Sequence, residues 1–115
     1  MAEHGLLAGA DLRIVAPHIY AIDATPEGGS YDHSAGLYDA VVGNPLYNRL
    51  VWGVTVSAYA DACRAVLDRA PPGPLLDLGC GTLCFTADTY VAATDRPILL
   101  VDRSIAMLQI ARDRL

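Results

Sequence analysis

The residues of this chain best suited to chemistry fall in two places. Leu75-Leu76-Asp77-Leu78-Gly79-Cys80-Gly81-Thr82 ends a short apolar run with two closely spaced glycines, and Asp102 ends the next apolar run, roughly 20 residues on. Glycines at the carboxyl end of a strand adopt backbone angles, and permit approaches to the main chain, that a Cβ forbids. A helix beginning just after such a turn points N–H groups and the positive end of its dipole at the same spot, which suits a carboxylate. An acidic side chain at the end of the second strand can accept hydrogen bonds from both hydroxyls of a ribose. Asp77 sits inside an apolar run and needs a donor, such as a ligand ammonium. Together these residues read as a nucleoside site at the edge of a parallel sheet.

Other reactive side chains carry less. Cys63, Cys80 and Cys84 are an odd and sparse set, and the C-x3-C pair of Cys80 and Cys84 lacks third and fourth ligands nearby. They read as packing residues in a reducing compartment, with no metal site. His33 reads as an exposed residue near a helix start, and His4 and His18 have no supporting partners.

The elements that must position the glycines and Asp102 follow from periodicity. Leu75–Leu78 and Ile98–Val101 are continuous apolar runs, which predicts strands buried on both faces. Between them Leu83 to Ala92 can form a helix, and Ser104 can cap a last helix from Ile105 to Leu115. That order is a βαβα unit with parallel strands. Upstream, a short helix is expected from Ser34 to Val42. A longer one should start at Pro45 and run to about Arg69, with Tyr47, Val51, Val54, Ala58, Ala62 and Val66 as its core stripe. Gly53 interrupts it, so a slight bend or close contact is expected there. Trp52 reads as core or an interface anchor. Before residue 30, Leu12–Val15 and Ile19–Ile22 can form short strands around Pro17, and residues 25–30 form a turn-rich loop.

Composition narrows the function. With 53% hydrophobic and 18% charged residues the chain must bury much of its surface, and a net charge of −5 with scattered basic residues argues against nucleic acid or anionic lipid as a partner. The longest apolar stretch, Leu50 to Ala60, is closed off by Arg49 and Asp61, so no membrane span is expected, and the first residues do not resemble a secretory signal. A small-molecule ligand and a cytoplasmic location are the expectation.

The segment from Asp77 to Gly81, with Asp102, resembles motif I of class I S-adenosylmethionine-dependent methyltransferases, D/E-x-G-x-G-x-G followed by an acidic residue after the second strand. Asp77, Gly79 and Gly81 match, and Leu83 replaces the third glycine. Tyr31-Asp32-His33-Ser34-Ala35-Gly36-Leu37-Tyr38-Asp39 resembles the Y-D-x-x-A-x-x-Y-D segment of small-molecule methyltransferases related to quinone-biosynthesis enzymes. The resemblance covers about Tyr31 to Leu115. It implies an α/β, Rossmann-like methyltransferase fold in partial form, with N-terminal helices and the first βαβα unit of the parallel sheet. The divisions would be an extension at residues 1–30, a helical cap at 31–72 and the start of the S-adenosylmethionine-binding domain at 73–115.

For the site, the resemblance implies S-adenosyl-L-methionine as cofactor. Gly79 and Gly81, with Cys80 in the same turn, would contact its methionine part and Asp77 its amino group. Asp102 would bind the ribose, Arg103, Ser104 and Met107 would lie near the adenine, and Tyr38 or else Tyr31 would cap the cofactor. The activity implied is methyl transfer to a small-molecule acceptor.

Two alternatives stay open. An NAD(P)-binding Rossmann fragment shares the turn and the acid, although its usual third glycine would fall at Cys84. The family's full sheet also has more strands than the two read here, and Leu115 falls in mid-helix without a stop signal. That predicts a partial methyltransferase lacking its acceptor half, or a non-catalytic cofactor-binding or assembly module. Such a module would join a homo-oligomer or a partner chain through the exposed edge of the Leu75–Leu78 strand.

Overall fold

The computed structural model describes residue 5 and residues 7–22 and 33–115. It is a mixed α/β arrangement with two small sheets. Strands β1 (Leu12–Ala16) and β2 (Ile19–Ile22) pair antiparallel across the Pro17-His18 turn, as the two apolar runs predict. His18 takes a left-handed φ of 61°, the conformation that closes so tight a turn after proline. The hairpin buries Ile19 and Ala21, and β2 meets the last helix.

Helix α1 (Ala35–Val42) begins one residue after Ser34. Asn44 then caps α2 (Pro45–Tyr47), its Oδ1 accepting from the N–H groups of Leu46 at 2.9 Å and Tyr47 at 3.1 Å, with proline in the first turn as expected. From here the structure departs from the expectation of one helix to Arg69. A π-helical turn (Asn48–Trp52) ends at Gly53, whose φ of 66° is left-handed, and α3 (Val56–Arg69) restarts after extended Thr55. The two halves meet at 86°, a sharp corner in place of a slight bend. Asn48 fastens it: its Nδ2 donates to the carbonyls of Val42 at 2.5 Å and Asn44 at 2.9 Å, while its Oδ1 accepts from the Tyr59 hydroxyl at 3.2 Å. Asn48 is correspondingly buried, its polar groups satisfied.

The corner resets the helical phase, which overturns the expected core stripe. Val51, Ala58, Ala62 and Val66 are exposed, Val66 at 66%. The inward face of α3 is instead Val56, Tyr59, Ala60, Cys63 and Leu67, all half-buried, with Tyr59 stacked on Phe85 at 4.3 Å between ring centres. Trp52 is exposed at the corner and is not core. Among the described residues no single helix is long and apolar enough to cross a membrane, although the bent pair Pro45–Trp52 and Val56–Arg69 passes by length and composition.

Strands β3 (Leu75–Leu78) and β4 (Ile98–Val101) pair in parallel, Leu75 opposite Ile98 and Leu78 opposite Val101. Arg96 anchors the loop before β3, donating from Nε to the Gly73 carbonyl at 2.6 Å and from Nη2 to that of Pro71 at 2.5 Å. α4 (Ala87–Ala93) and α5 (Ile105–Arg114) complete the βαβα order. Because side chains alternate along a strand, Asp77 and Leu100 share one face, and Leu100 packs on the core of Leu83, Ala87 and Ala111. The other face carries Leu76, Leu78 and Val101. Leu76 is 60% and Leu78 70% exposed, so the sheet is covered on one face, contrary to the expectation from its continuous apolar runs.

Candidate functional site

β3 delivers the chain into the glycine turn. Gly79 and Gly81 take φ values of +73° and +58°, a region that side chains with a Cβ enter only at a cost of roughly 1–2 kcal/mol. A Cβ at either position would meet nothing within 4 Å, so the turn borders open space and is not filled by the protein's own side chains. The glycines answer a conformational demand, and the open side is where a ligand can reach the main chain.

The turn is stitched to the end of β4. The N–H groups of Gly79 and Cys80 both donate to the Val101 carbonyl, at 2.7 and 3.2 Å. Asp102 turns back to the glycines. Its Oδ2 accepts the Gly81 N–H at 2.8 Å, and its Oδ1 accepts the Ser104 N–H at 2.9 Å. A carboxylate offers about four lone-pair directions, so these two bonds orient Asp102 while leaving it capacity for hydroxyl donors. Ser104 in turn caps α5, its Oγ accepting the Met107 N–H at 3.2 Å.

The segment after Gly81 differs from expectation. Residues 83–86 are not helical, and α4 starts only at Ala87, so its dipole does not open directly on the glycines. Leu83, which stands at the third-glycine position, adopts a left-handed φ of 57° and is 3% exposed in the core. Its backbone keeps the glycine conformation while its side chain supplies packing that glycine lacks.

The other sequence-predicted residues are distributed unevenly. Asp77 has a donor within the chain, the Tyr90 hydroxyl donating to its Oδ2 at 2.7 Å. Burial and that neighbouring carboxylate push the Tyr90 phenol up, which keeps it a donor. The Cys80 side chain packs against the core, and burial, then the nearby charges of Asp102 and Asp77, push its thiol up to about 12. Its Sγ also donates to the Gly81 carbonyl at 3.6 Å. Arg103 is exposed beside Asp102. Met107 is 3% exposed and lies in the interior, so its side chain does not line the open side of the turn. Tyr38 is exposed on α1, and Tyr31 lies outside the described residues.

Sequence reasoning missed a cluster next to the turn. Arg114 of α5 grips Asp39 of α1 with two parallel bonds, Nη1 to Oδ1 at 2.8 Å and Nη2 to Oδ2 at 2.6 Å. Nη1 also donates to the Thr82 carbonyl at 2.8 Å, and the Thr82 hydroxyl donates to Asp39 Oδ1. The Arg114 guanidinium holds the Asp39 carboxyl below the usual range. The second aspartate of the Tyr-Asp repeat was the only signal for this cluster. Nearby, a cavity of about 280 Å³ lies between the start of α3 and the 83–88 segment, lined by Val56, Ala60, Leu83, Phe85 and Asp88 among others. Among the described residues no group of three or more His, Cys, Asp or Glu side chains could hold a metal.

Comparison with family models, curated proteins and solved structures returned no match for the chain.

Proposed function

We propose that the open turn at Gly79–Gly81, together with Asp102, binds S-adenosylmethionine, and that the protein serves methyl transfer to a small-molecule acceptor within a Rossmann-like methyltransferase fold. The observation that carries this reading is the placement of Asp102, held 2.8 Å from the Gly81 N–H beside a turn whose outer side is open. The residues present fit the cofactor. An acid whose orientation is fixed by two main-chain donors is prepared for vicinal ribose hydroxyls, and a glycine main chain without overlying side chains accommodates an amino-acid end. Arg103 is the adenine-side candidate, since Met107 is interior, and Tyr38 is the capping candidate because its neighbour Asp39 contacts Thr82.

Bound S-adenosylmethionine supplies a methyl group already made electrophilic by its sulfonium. The protein's share is alignment and exclusion of water, and no side chain is required as a general base. The test is a calorimetric titration with S-adenosylmethionine, S-adenosylhomocysteine and NAD. Binding of the first two alone supports the reading, and binding of NAD alone replaces it with a dinucleotide site.

A second reading, a cofactor-binding module that works with a partner chain, is favoured by the uncovered sheet face of Leu76, Leu78 and Val101. Sedimentation velocity distinguishes it, since a monodisperse monomer with methyl-transfer activity would exclude the module.

A further inference from the structure

We propose that Asp39 and Arg114 are positioning residues that clamp Thr82 and thereby hold the Gly79–Gly81 turn open for its ligand. Thr82 directly follows Gly81 and is buried. It is fixed at both of its polar ends, its hydroxyl by Asp39 and its carbonyl by Arg114. The two clamping side chains also grip each other in a planar, two-bond geometry that constrains direction as well as distance. Gly81 has the widest backbone freedom of any residue type, so its left-handed conformation requires restraint from its neighbours. Asp102 supplies that restraint at the Gly81 N–H, and the Thr82 clamp supplies it on the other side.

The clamp also couples distant parts of the chain. Asp39 belongs to α1 and Arg114 to α5, so the pair is a direct tie between the N-terminal helical segment and the turn. Asp39 and Arg114 are partly buried, with side chains 17% and 32% exposed, so the pair is less screened than a fully exposed one.

The consequence for ligand affinity rests on the function proposed above, whereas the effect on the turn does not. Amide hydrogen exchange of the ligand-free protein is therefore measured alongside calorimetry with S-adenosylhomocysteine, for the wild type, Asp39→Asn, Arg114→Lys and the exchanged pair Asp39→Arg with Arg114→Asp. Asp39→Asn is expected to speed exchange at residues 79–83 by about tenfold, the size of one charge-assisted hydrogen bond, and to leave β4 protected. Affinity should weaken by a similar factor, Arg114→Lys should lie between it and the wild type, and the exchanged pair, which restores the ion pair but sets a carboxylate against the Thr82 carbonyl, should recover neither. Asp113→Asn, on the exposed face of α5, is the control and should change neither.

Unchanged exchange at 79–83 in Asp39→Asn would overturn the clamp. A uniform rise across β4 and α4 would overturn it equally, by reducing the pair to a general stabiliser. Absence of S-adenosylhomocysteine binding by the wild type would defeat the proposed function, while the exchange data would still decide the clamp.

Discussion

The Gly81 N–H donates to Asp102 Oδ2 across 2.8 Å, so the turn after one strand and the acid after the next form a single unit. Removing that acceptor leaves the Gly81 and Ser104 N–H groups to find other partners and takes away the proposed ribose acceptor. Asp102→Ala should weaken S-adenosylmethionine binding by at least about tenfold, roughly 1.4 kcal/mol, with Asp102→Asn intermediate. Calorimetry at fixed ionic strength reads this directly, and unchanged affinity would remove Asp102 from the site.

Leu83 combines a left-handed backbone with a buried side chain, and the two features pull substitutions in opposite directions. Leu83→Ala should cost about 2–5 kcal/mol of stability through lost packing. Leu83→Gly loses one carbon more, but glycine recovers roughly 1–2 kcal/mol of backbone strain, so it should be no less stable than the alanine variant. Urea denaturation compares the pair, and a clearly weaker Leu83→Gly would contradict the strain assignment.

The depressed Asp39 carboxyl makes the Arg114 contact dependent on pH. A lowered native pKa means that the unfolded chain binds a proton first. The contribution is therefore complete above the ordinary aspartate value of about 3.9 and is lost as pH falls through the lower native value. Thermal midpoints measured from pH 6 down to pH 3 should fall more steeply in the wild type than in Asp39→Asn, and parallel curves would argue against the linkage.

With its thiol raised to about 12 by burial and by the charges of Asp102 and Asp77, Cys80 carries almost no thiolate near neutrality. Iodoacetamide at pH 8 should alkylate it on the order of a hundredfold more slowly than a free peptide thiol, the difference disappearing in denaturant. Mass spectrometry of the labelled peptides follows the rate. Rapid labelling in the folded protein would show that Cys80 is exposed to solvent at the turn.

The uncovered sheet face can be probed through solubility. Leu76→Lys combined with Leu78→Lys alters only residues that are 60% and 70% exposed, so it should lower self-association while shifting stability by under about 1 kcal/mol. Sedimentation at increasing concentration compares it with the wild type, and loss of folding would mean that the face is covered in solution.

The local order of elements was legible in the amino acids themselves. Apolar runs, glycines and prolines marked the hairpin around Pro17, α1, β3, β4 and α5, because strand length, turn chemistry and helix caps are decided within a few residues. The link between the glycine turn and Asp102 was also readable, since parallel pairing of two neighbouring strands brings their carboxyl ends together.

Three things were settled only in three dimensions. Helical periodicity runs straight across Gly53, so nothing local distinguished a gentle bend from an 86° corner, and the corner turned the expected core stripe outward. The late start of α4 followed from Leu83, whose left-handed backbone is held by burial among Ala87 and Ala111. The donor for Asp77 and the clamp on Thr82 join residues far apart in the chain, and pairing over such separations depends on how helices pack, which no short-range pattern encodes.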